Sequence, residues 1–172
     1  MKRFKSRHFC KETVHFFNFL TERTYVRLLQ GDAMSRLKSI YVCDDDQWIL
    51  DTVVDFLSSL NLDILTFANG KLALDQIKKN SPDLIITDIN MPEMTGLELL
   101  KFLDVNEFKI PVIMLTASLD LKNIKEAVAY GHFEYLNKPI QPFDLVETVQ
   151  KALTFGYQPS ALSKKFRERL KK

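Results

Sequence analysis

The chain has 172 residues, 46% of them hydrophobic and 27% charged, which matches one globular domain with short extensions. No apolar run approaches the ~18 residues of a membrane span, and no small-residue cleavage site follows the basic N-terminus, so neither an anchor nor a secretory signal is predicted. The two cysteines, Cys10 and Cys43, indicate neither a disulfide framework nor a metal site. We expect a cytoplasmic protein.

The net charge of +2 conceals three segments of different sign. Residues 1–33 carry seven basic and three acidic residues, residues 34–155 carry eleven and eighteen, and residues 156–172 carry six and one. An acidic body between two basic ends predicts a domain at 34–155, with an N-terminal extension at 1–33 and a basic tail at 156–172.

The N-terminal extension predicts a helix from about Cys10 to Gln30. Its many aromatic residues are compatible with a helix that docks on a partner, on the domain or on a membrane surface, and equally with a plain accessory helix. A third interpretation places the true start at Met34. The basic tail predicts a short terminal helix.

From Leu37 onward, short apolar runs alternate with segments of helical periodicity. The predicted strands are Ser39–Cys43, Leu62–Phe67, Leu84–Thr87 leading into Asp88, Ile110–Leu115 and Glu134–Leu136. The predicted helices are Gln47–Leu60, Lys71–Lys79, Leu97–Asp104, Leu121–Tyr130 and a last one from Pro142 to about Leu153. This alternation predicts an α/β fold with a doubly wound five-stranded parallel sheet.

Polar residues follow four of the five predicted strands. They are Asp44 and Asp45 after the first strand, Asp88 after the third, Thr116 after the fourth and Lys138 just after the fifth. Because the carboxyl ends of parallel strands meet at one edge of a sheet, we expect these side chains to converge there. A carboxylate that ends a buried strand, as Asp88 does, needs a compensating charge.

The chemistry of these residue types favours a divalent cation. Carboxylates crowded at one edge raise one another's pKa, and oxygen ligands without His or Cys favour Mg²⁺ over zinc, with the backbone carbonyl of Asn90 completing the shell. One carboxylate then becomes a nucleophile toward phosphorus, while Lys138 and the Thr116 hydroxyl contact the phosphoryl oxygens. The plainer alternatives are a helix N-cap for the aspartates at 44–46, a strand terminus for Thr116 and a solvated loop lysine for Lys138.

Four segments carry a resemblance to a known family: VCDDD at 42–46, IITDINMPEMTG at 85–96, VIMLTA at 112–117 and YLNKP at 135–139. In this order and spacing, the chain from Leu37 to Leu153 resembles the receiver domain of two-component response regulators, the chemotaxis-regulator-like family. The resemblance implies strand order 2-1-3-4-5. Asn137 and residues 132–134 depart from the family's usual pattern, and His132 is predicted to be a solvated loop residue.

The resemblance also implies a role for each matching residue. Asp88 is the phosphoacceptor, Asp44, Asp45, Asp88 and the Asn90 carbonyl hold Mg²⁺, Thr116 and Lys138 contact the phosphoryl group, Thr116 and Tyr135 form the switch, and Asn90 and Ser118 tune dephosphorylation. The implied donor is a sensor histidine kinase or a histidine phosphotransfer protein. The implied output is a downstream protein target, or a homodimer, bound through the fourth helix, fifth strand and fifth helix. The chain is then no enzyme beyond catalysing its own phosphorylation and dephosphorylation.

Two other classes of function stay open. Asp44-x-Asp46 resembles the nucleophile motif of haloacid-dehalogenase-like Mg²⁺ phosphohydrolases, although Gln47 replaces the hydroxyl or β-branched residue usual after it. The other class is a phosphorylation-independent adaptor that binds through its basic ends. Nucleic acid is not an expected partner, because the basic tail lacks the length of a helix-turn-helix.

Overall fold

The computed structural model describes residues 36–117, 130 and 134–157. Within them lie five strands, β1 Lys38–Cys43, β2 Leu62–Phe67, β3 Leu84–Asp88, β4 Val112–Thr116 and β5 Glu134–Asn137. The helices of the same part are α1 Gln47–Leu57, α2 Gly70–Ile77, α3 Gly96–Val105 and α4 Pro142–Phe155. The N-terminal extension, Ser118, the helix predicted at 121–130 apart from Tyr130, His132 and the basic tail from residue 158 lie outside the described residues.

The strands form one parallel sheet in the order β2-β1-β3-β4-β5, which confirms the predicted architecture. The pairing register places Cys43 beside Thr87, Asp88 beside Leu115 and Thr116 beside Asn137. The carboxyl ends of β1, β3, β4 and β5 are therefore level with one another. Side chains at these four ends share one edge of the sheet.

Successive residues of each central strand face opposite layers of the core. Tyr41 and Ile85 pack with α2 and α3, whereas Ile40 and Ile86 pack with α1 and α4. All five residues of β3 are buried, as the apolar run before Asp88 predicts. Each buried Ile or Leu of these layers contributes about 1.5–3 kcal/mol, so the sheet is a rigid support for its polar edge. None of the described helices is long and apolar enough to cross a membrane.

Two predicted boundaries differ from the structure for reasons of backbone chemistry. The first helix ends at Leu57 instead of Leu60, because the Ser58 N–H bonds to the Asp55 carbonyl in a tighter turn. The fourth strand begins after Pro111, which has no N–H for the ladder, and it includes Thr116 as its last residue.

Candidate functional site

Asp88 is the last residue of β3 and is almost fully buried. Its Oδ2 accepts a hydrogen bond from the Asn90 N–H at 2.6 Å, and its Oδ1 lies 2.6 Å from the Lys138 Nζ. A buried carboxylate without such partners would be strongly destabilising. The compensating charge that the sequence analysis expects for Asp88 is therefore supplied by Lys138, which is distant from Asp88 in the sequence but in contact with it in the fold.

Asp44 follows β1 directly and is fully buried. Its Oδ2 lies 2.7 Å from the same Lys138 Nζ, and its Oδ1 accepts the Asp46 N–H at 3.0 Å. The two carboxylates thus lie on either side of one ammonium group. Asp45 is the next residue along the chain, and it is exposed.

Asp46 does not join this group. Its carboxylate accepts the Trp48 N–H at 2.9 Å and caps the N-terminus of α1. The plain interpretation of Asp46 as a helix cap is therefore confirmed. A haloacid-dehalogenase-like site would need the carboxylates of both Asp44 and Asp46. The Asp46 carboxylate is instead engaged in the cap of α1.

Lys138 is placed by the end of β5. Its N–H donates to the Thr116 carbonyl at 2.8 Å, which extends the β4–β5 pairing by one bond past the strand. Its peptide bond to Pro139 is cis. The side chain of Lys138 lies along the sheet edge and contacts both Asp44 and Asp88.

The charges of this cluster do not balance. Burial raises the pKa of Asp44, the hydrogen bond and charge of Lys138 oppose that rise without cancelling it, and the neighbouring charge of Asp88 adds to it. Burial lowers the pKa of Lys138, but its hydrogen bonds to both carboxylates outweigh burial and leave that pKa raised. Burial is thus the main cause of the raised Asp44 pKa, and the two carboxylates beside Lys138 are the cause of the raised lysine pKa.

The structure places three of the remaining predicted site residues. Thr116 is buried at the end of β4, and Asn90 is exposed in the β3–α3 loop, residues 89–95. Tyr135 is half-buried on β5, paired with Met114 of β4. The side-chain roles predicted for these three residues stay predictions.

The donor set at this edge is suited to a hard cation. Within the described residues, no group of three or more His, Cys, Asp or Glu side chains is already gathered as a metal site. Asp44 and Asp88 nevertheless offer carboxylate oxygens that one lysine only half neutralises, with the exposed Asp45 beside them. Oxygen donors with excess negative charge fit Mg²⁺.

Sequence reasoning missed a contact that reaches the site's loop from the neighbouring turn. Asn69 and Gly70 predict a turn after the second strand, but Asn69 also caps α2 and donates to Glu93 of the β3–α3 loop. The Gly70 N–H donates to the Met94 carbonyl of that loop. The Asn-Gly pair is the sequence signal for a tight turn, and it carries no information about a partner 24 residues away.

An apolar cleft of about 280 Å³ lies between α1 and the segment that follows Lys138. Its walls come from α1 and from the segment after Lys138, and they include Trp48, Ile49, Thr52, Pro139 and Ile140. Trp48 is 69% exposed although it is the largest apolar side chain of the domain.

Comparison with known proteins agrees with this fold and site. Residues 40–150 match the family model of the response regulator receiver domain. The chain therefore belongs to the response regulator receiver domain family. The matched family is a signalling domain and not a recognised enzyme family.

Two curated relatives illustrate the extent of the match. The DNA-binding transcriptional regulator NtrC of Escherichia coli is 36% identical over 118 residues, which are 67% of this chain and 24% of that protein. The transcriptional regulatory protein CrdR of Helicobacter pylori is 37% identical over 112 residues, 64% of this chain and 51% of that protein. The chain thus spans from about a quarter to about half of the length of these relatives.

Solved receiver structures share the fold. The chemotaxis response regulator CheY4 of Vibrio cholerae superimposes with a TM-score of 0.63 and 32% identity, covering 69% of this chain and 100% of that one. The signal receiver domain of an HD domain-containing protein from Pseudomonas fluorescens gives a TM-score of 0.66 and 28% identity, covering 70% and 97%.

Proposed function

We propose that this domain is a phosphorylation-dependent signalling switch of the cytoplasm, in which Asp88 accepts a phosphoryl group from a sensor histidine kinase or a histidine phosphotransfer protein. The observation that carries the proposal is the shared contact of Lys138 with Asp44 and Asp88, 2.7 and 2.6 Å from its Nζ. A lone structural ion pair needs one carboxylate, whereas phosphoryl transfer needs a nucleophile with both a cation and a second acidic group at hand.

The transfer exchanges one bond to phosphorus for another. The P–N bond to the donor imidazole breaks, a P–O bond to a carboxylate oxygen of Asp88 forms, and the departing imidazole nitrogen takes up a proton. The Asn90 N–H and the Lys138 Nζ already hold the two oxygens of Asp88, so the nucleophile is oriented before the donor arrives. Water later cleaves the acyl phosphate, which returns the carboxylate and releases inorganic phosphate.

Mg²⁺ is the cofactor that the donor set accommodates. Asp44, Asp45, Asp88 and the backbone carbonyl of Asn90 would hold it. When bound, it supplies positive charge for the phosphoryl oxygens. Lys138 supplies the second positive charge, since its ammonium is favoured by the carboxylates on either side of it.

The switch is proposed to start at Thr116 and Tyr135. Thr116 ends β4 at the reacting edge, and its carbonyl accepts the Lys138 N–H, so the phosphoryl-contacting lysine and the switch threonine share one backbone bond. Tyr135 pairs with Met114, two residues before Thr116. A change at Thr116 would reach the face of the predicted fourth helix, the fifth strand and the last helix, where a target protein or a second copy binds, while Asn90 and Ser118 set the lifetime of the acyl phosphate.

A protein donor needs a binding surface as well as Asp88. The apolar cleft includes Pro139, which directly follows Lys138 in the chain. A small phosphodonor needs only the charged cluster, whereas a protein donor also needs a surface to bind. We propose the cleft as that surface.

The decisive experiment compares wild type with Asp88→Asn during incubation with acetyl phosphate and Mg²⁺, followed by intact mass measurement. We expect one phosphoryl group on the wild type and none on Asp88→Asn, because the amide is not a nucleophile toward phosphorus. Labelling that persists in the variant and maps to Asp44 would support a haloacid-dehalogenase-like reaction. A wild type that takes no label would support a phosphorylation-independent adaptor.

A further inference from the structure

The side chain of Asn69 joins two elements that lie far apart in sequence. Asn69 is 5% exposed; its Oδ1 accepts the Leu72 N–H of α2 at 2.9 Å, and its Nδ2 donates to Glu93 Oε1 at 3.1 Å. An Asp at this position would cap α2 equally well, but it has no N–H to give to Glu93. The helix cap alone therefore does not require an amide, and the contact with Glu93 does.

Gly70 makes the second contact between the same turn and the same loop. Its N–H donates to the Met94 carbonyl at 3.1 Å. A Cβ added at Gly70 would lie 2.7 Å from the Met94 carbonyl oxygen and 2.9 Å from the Met94 Cγ, both too close. Only glycine lets the turn approach the β3–α3 loop this closely.

The loop needs support because part of its backbone is in an unfavourable conformation. Glu93, the residue held by Asn69, has a φ of 62°, in the left-handed region that non-glycine residues seldom adopt. The same loop begins at Asp88, where the Asn90 N–H bonds to the carboxylate, and it closes where the Gly96 N–H bonds to the Ile89 carbonyl. Glu93 and Asn90 are three residues apart in this loop, so the backbone conformation at Glu93 can be transmitted to Asn90.

From these contacts we propose that Asn69 and Gly70 are positioning residues for phosphoryl transfer. The turn between β2 and α2 holds the β3–α3 loop in the conformation that aims the Asn90 N–H at Asp88 and its carbonyl at the metal position. This inference rests on the proposed phosphorylation of Asp88. It adds to the site a component that touches neither the phosphoryl group nor the metal.

An exchange of donor and acceptor tests the contact directly. Asn69→Asp keeps the α2 cap, removes the donor and places a second carboxylate against Glu93. Glu93→Gln alone keeps an acceptor for Asn69 and should change labelling and Asn90 exchange very little. Combined, the two substitutions restore one hydrogen bond with its direction reversed, from the new amide to the new carboxylate.

Two measurements are made on the wild type, the two single variants and the double variant. The first is the rate of Mg²⁺-dependent labelling by acetyl phosphate, and the second is hydrogen exchange of the Asn90 amide in metal-free protein. For Asn69→Asp we expect labelling to be ~10-fold slower, which is at the low end of the effects seen for groups that orient metal ligands. We expect hydrogen exchange of the Asn90 amide to be ~10-fold faster. In the double variant both should return to within ~2-fold of wild type.

Tyr41→Phe is the matched control for a general loss of stability. It removes one side-chain hydrogen bond, from the Tyr41 hydroxyl to the Asn80 carbonyl at 2.9 Å, and leaves the loop untouched. The proposal is overturned if Asn69→Asp behaves as wild type in both measurements, or if its defects are shared by Tyr41→Phe and are not rescued by Glu93→Gln. A wild type that takes no label would refute the proposed phosphorylation, and the exchange of the Asn90 amide would still decide whether the turn holds the loop.

Discussion

Both edges of the sheet carry a lysine beside carboxylates, but the two groups are built differently. At the amino edge, Lys38 Nζ lies 3.1 Å from a single carboxylate, Asp83, and the lysine side chain is 53% exposed. At the carboxyl edge, Lys138 is 19% exposed and is shared by Asp44 and Asp88, both almost buried. The lysine of the amino edge is exposed to water, whereas the carboxyl edge has two carboxylates for one lysine, all of them largely buried.

The difference separates stability from function. An exposed one-to-one pair contributes at most about 1 kcal/mol and can be lost with little effect. A buried pair of carboxylates with one cation costs free energy of folding, and such arrangements cluster at functional sites. The imbalance therefore supports the proposal that the carboxyl edge is the reacting edge, independently of any relative.

The largest expected effect is that of Lys138→Met, which leaves Asp44 and Asp88 buried without a cation. We expect the free energy of unfolding to fall by about 2–3 kcal/mol, below the 3–5 kcal/mol of a fully enclosed pair because Lys138 is partly exposed. Urea titration measures it. Adding Asp44→Asn to this variant should recover part of the loss, and a loss no greater than that of Lys38→Met would mean that solvent already screens the carboxyl edge.

A smaller effect is expected where the reacting edge meets a protein donor. Trp48→Ala should slow phosphoryl transfer from a phosphorylated histidine phosphotransfer protein by about tenfold, or about 1.4 kcal/mol, because it removes the largest wall of the cleft. Its labelling by acetyl phosphate should be unchanged. The matched control is Phe143→Ala, since Phe143 is also 69% exposed but does not line the cleft. Equal slowing of phosphoryl transfer by both variants would argue against the cleft as the binding surface for the donor.

Asp44→Asn should stabilise the domain while it impairs the reaction. At neutral pH we expect the free energy of unfolding to rise by about 1 kcal/mol, because burial of the Asp44 charge costs more than its contact with Lys138 returns. Labelling should fall at least ~10-fold with the loss of a metal ligand. A gain in stability together with a loss of activity is expected if Asp44 is an active-site residue, and it is not expected if Asp44 only forms a structural ion pair.

The pH dependence of that stabilisation follows from the raised pKa of Asp44. Burial lifts this pKa above its ordinary value of 3.8, so the folded state holds the Asp44 proton more tightly than the unfolded state does. The cost of ionising Asp44 is therefore present at neutral pH, shrinks as the pH falls through the raised pKa and vanishes below about pH 3.8. Urea titrations of both proteins across that range should converge at the acid end. A gap that widens toward acid would show that Lys138 lowers the Asp44 pKa more than burial raises it.

The sequence predicts the convergence of polar strand ends because strand ends are local features. Asp44 and Asp88 follow apolar runs and Lys138 comes just after β5, and parallel pairing brings such ends together whatever the helices do. It does not predict that one lysine bridges both carboxylates, since that depends on side-chain reach across β3 and β4. The hydrogen bond from Asn69 to Glu93 is also not predictable from the sequence. Turn propensity indicates that a turn forms, but it does not indicate which distant residues the turn contacts.

The smallest effect is expected at the amino edge, where Lys38→Met removes the exposed partner of Asp83. We expect a loss of no more than about 0.5 kcal/mol, because Asp83 keeps its bond from the Ser39 N–H at 2.9 Å and water solvates the rest. Raising the salt concentration to about 1 M should abolish this loss but leave most of the Lys138→Met loss, since burial protects the carboxyl-edge contacts from screening. Urea titrations of both variants at two salt concentrations measure the contrast. If salt acted equally on both, the two edges would share one dielectric environment, and the excess charge at Asp44 and Asp88 would no longer distinguish the reacting edge.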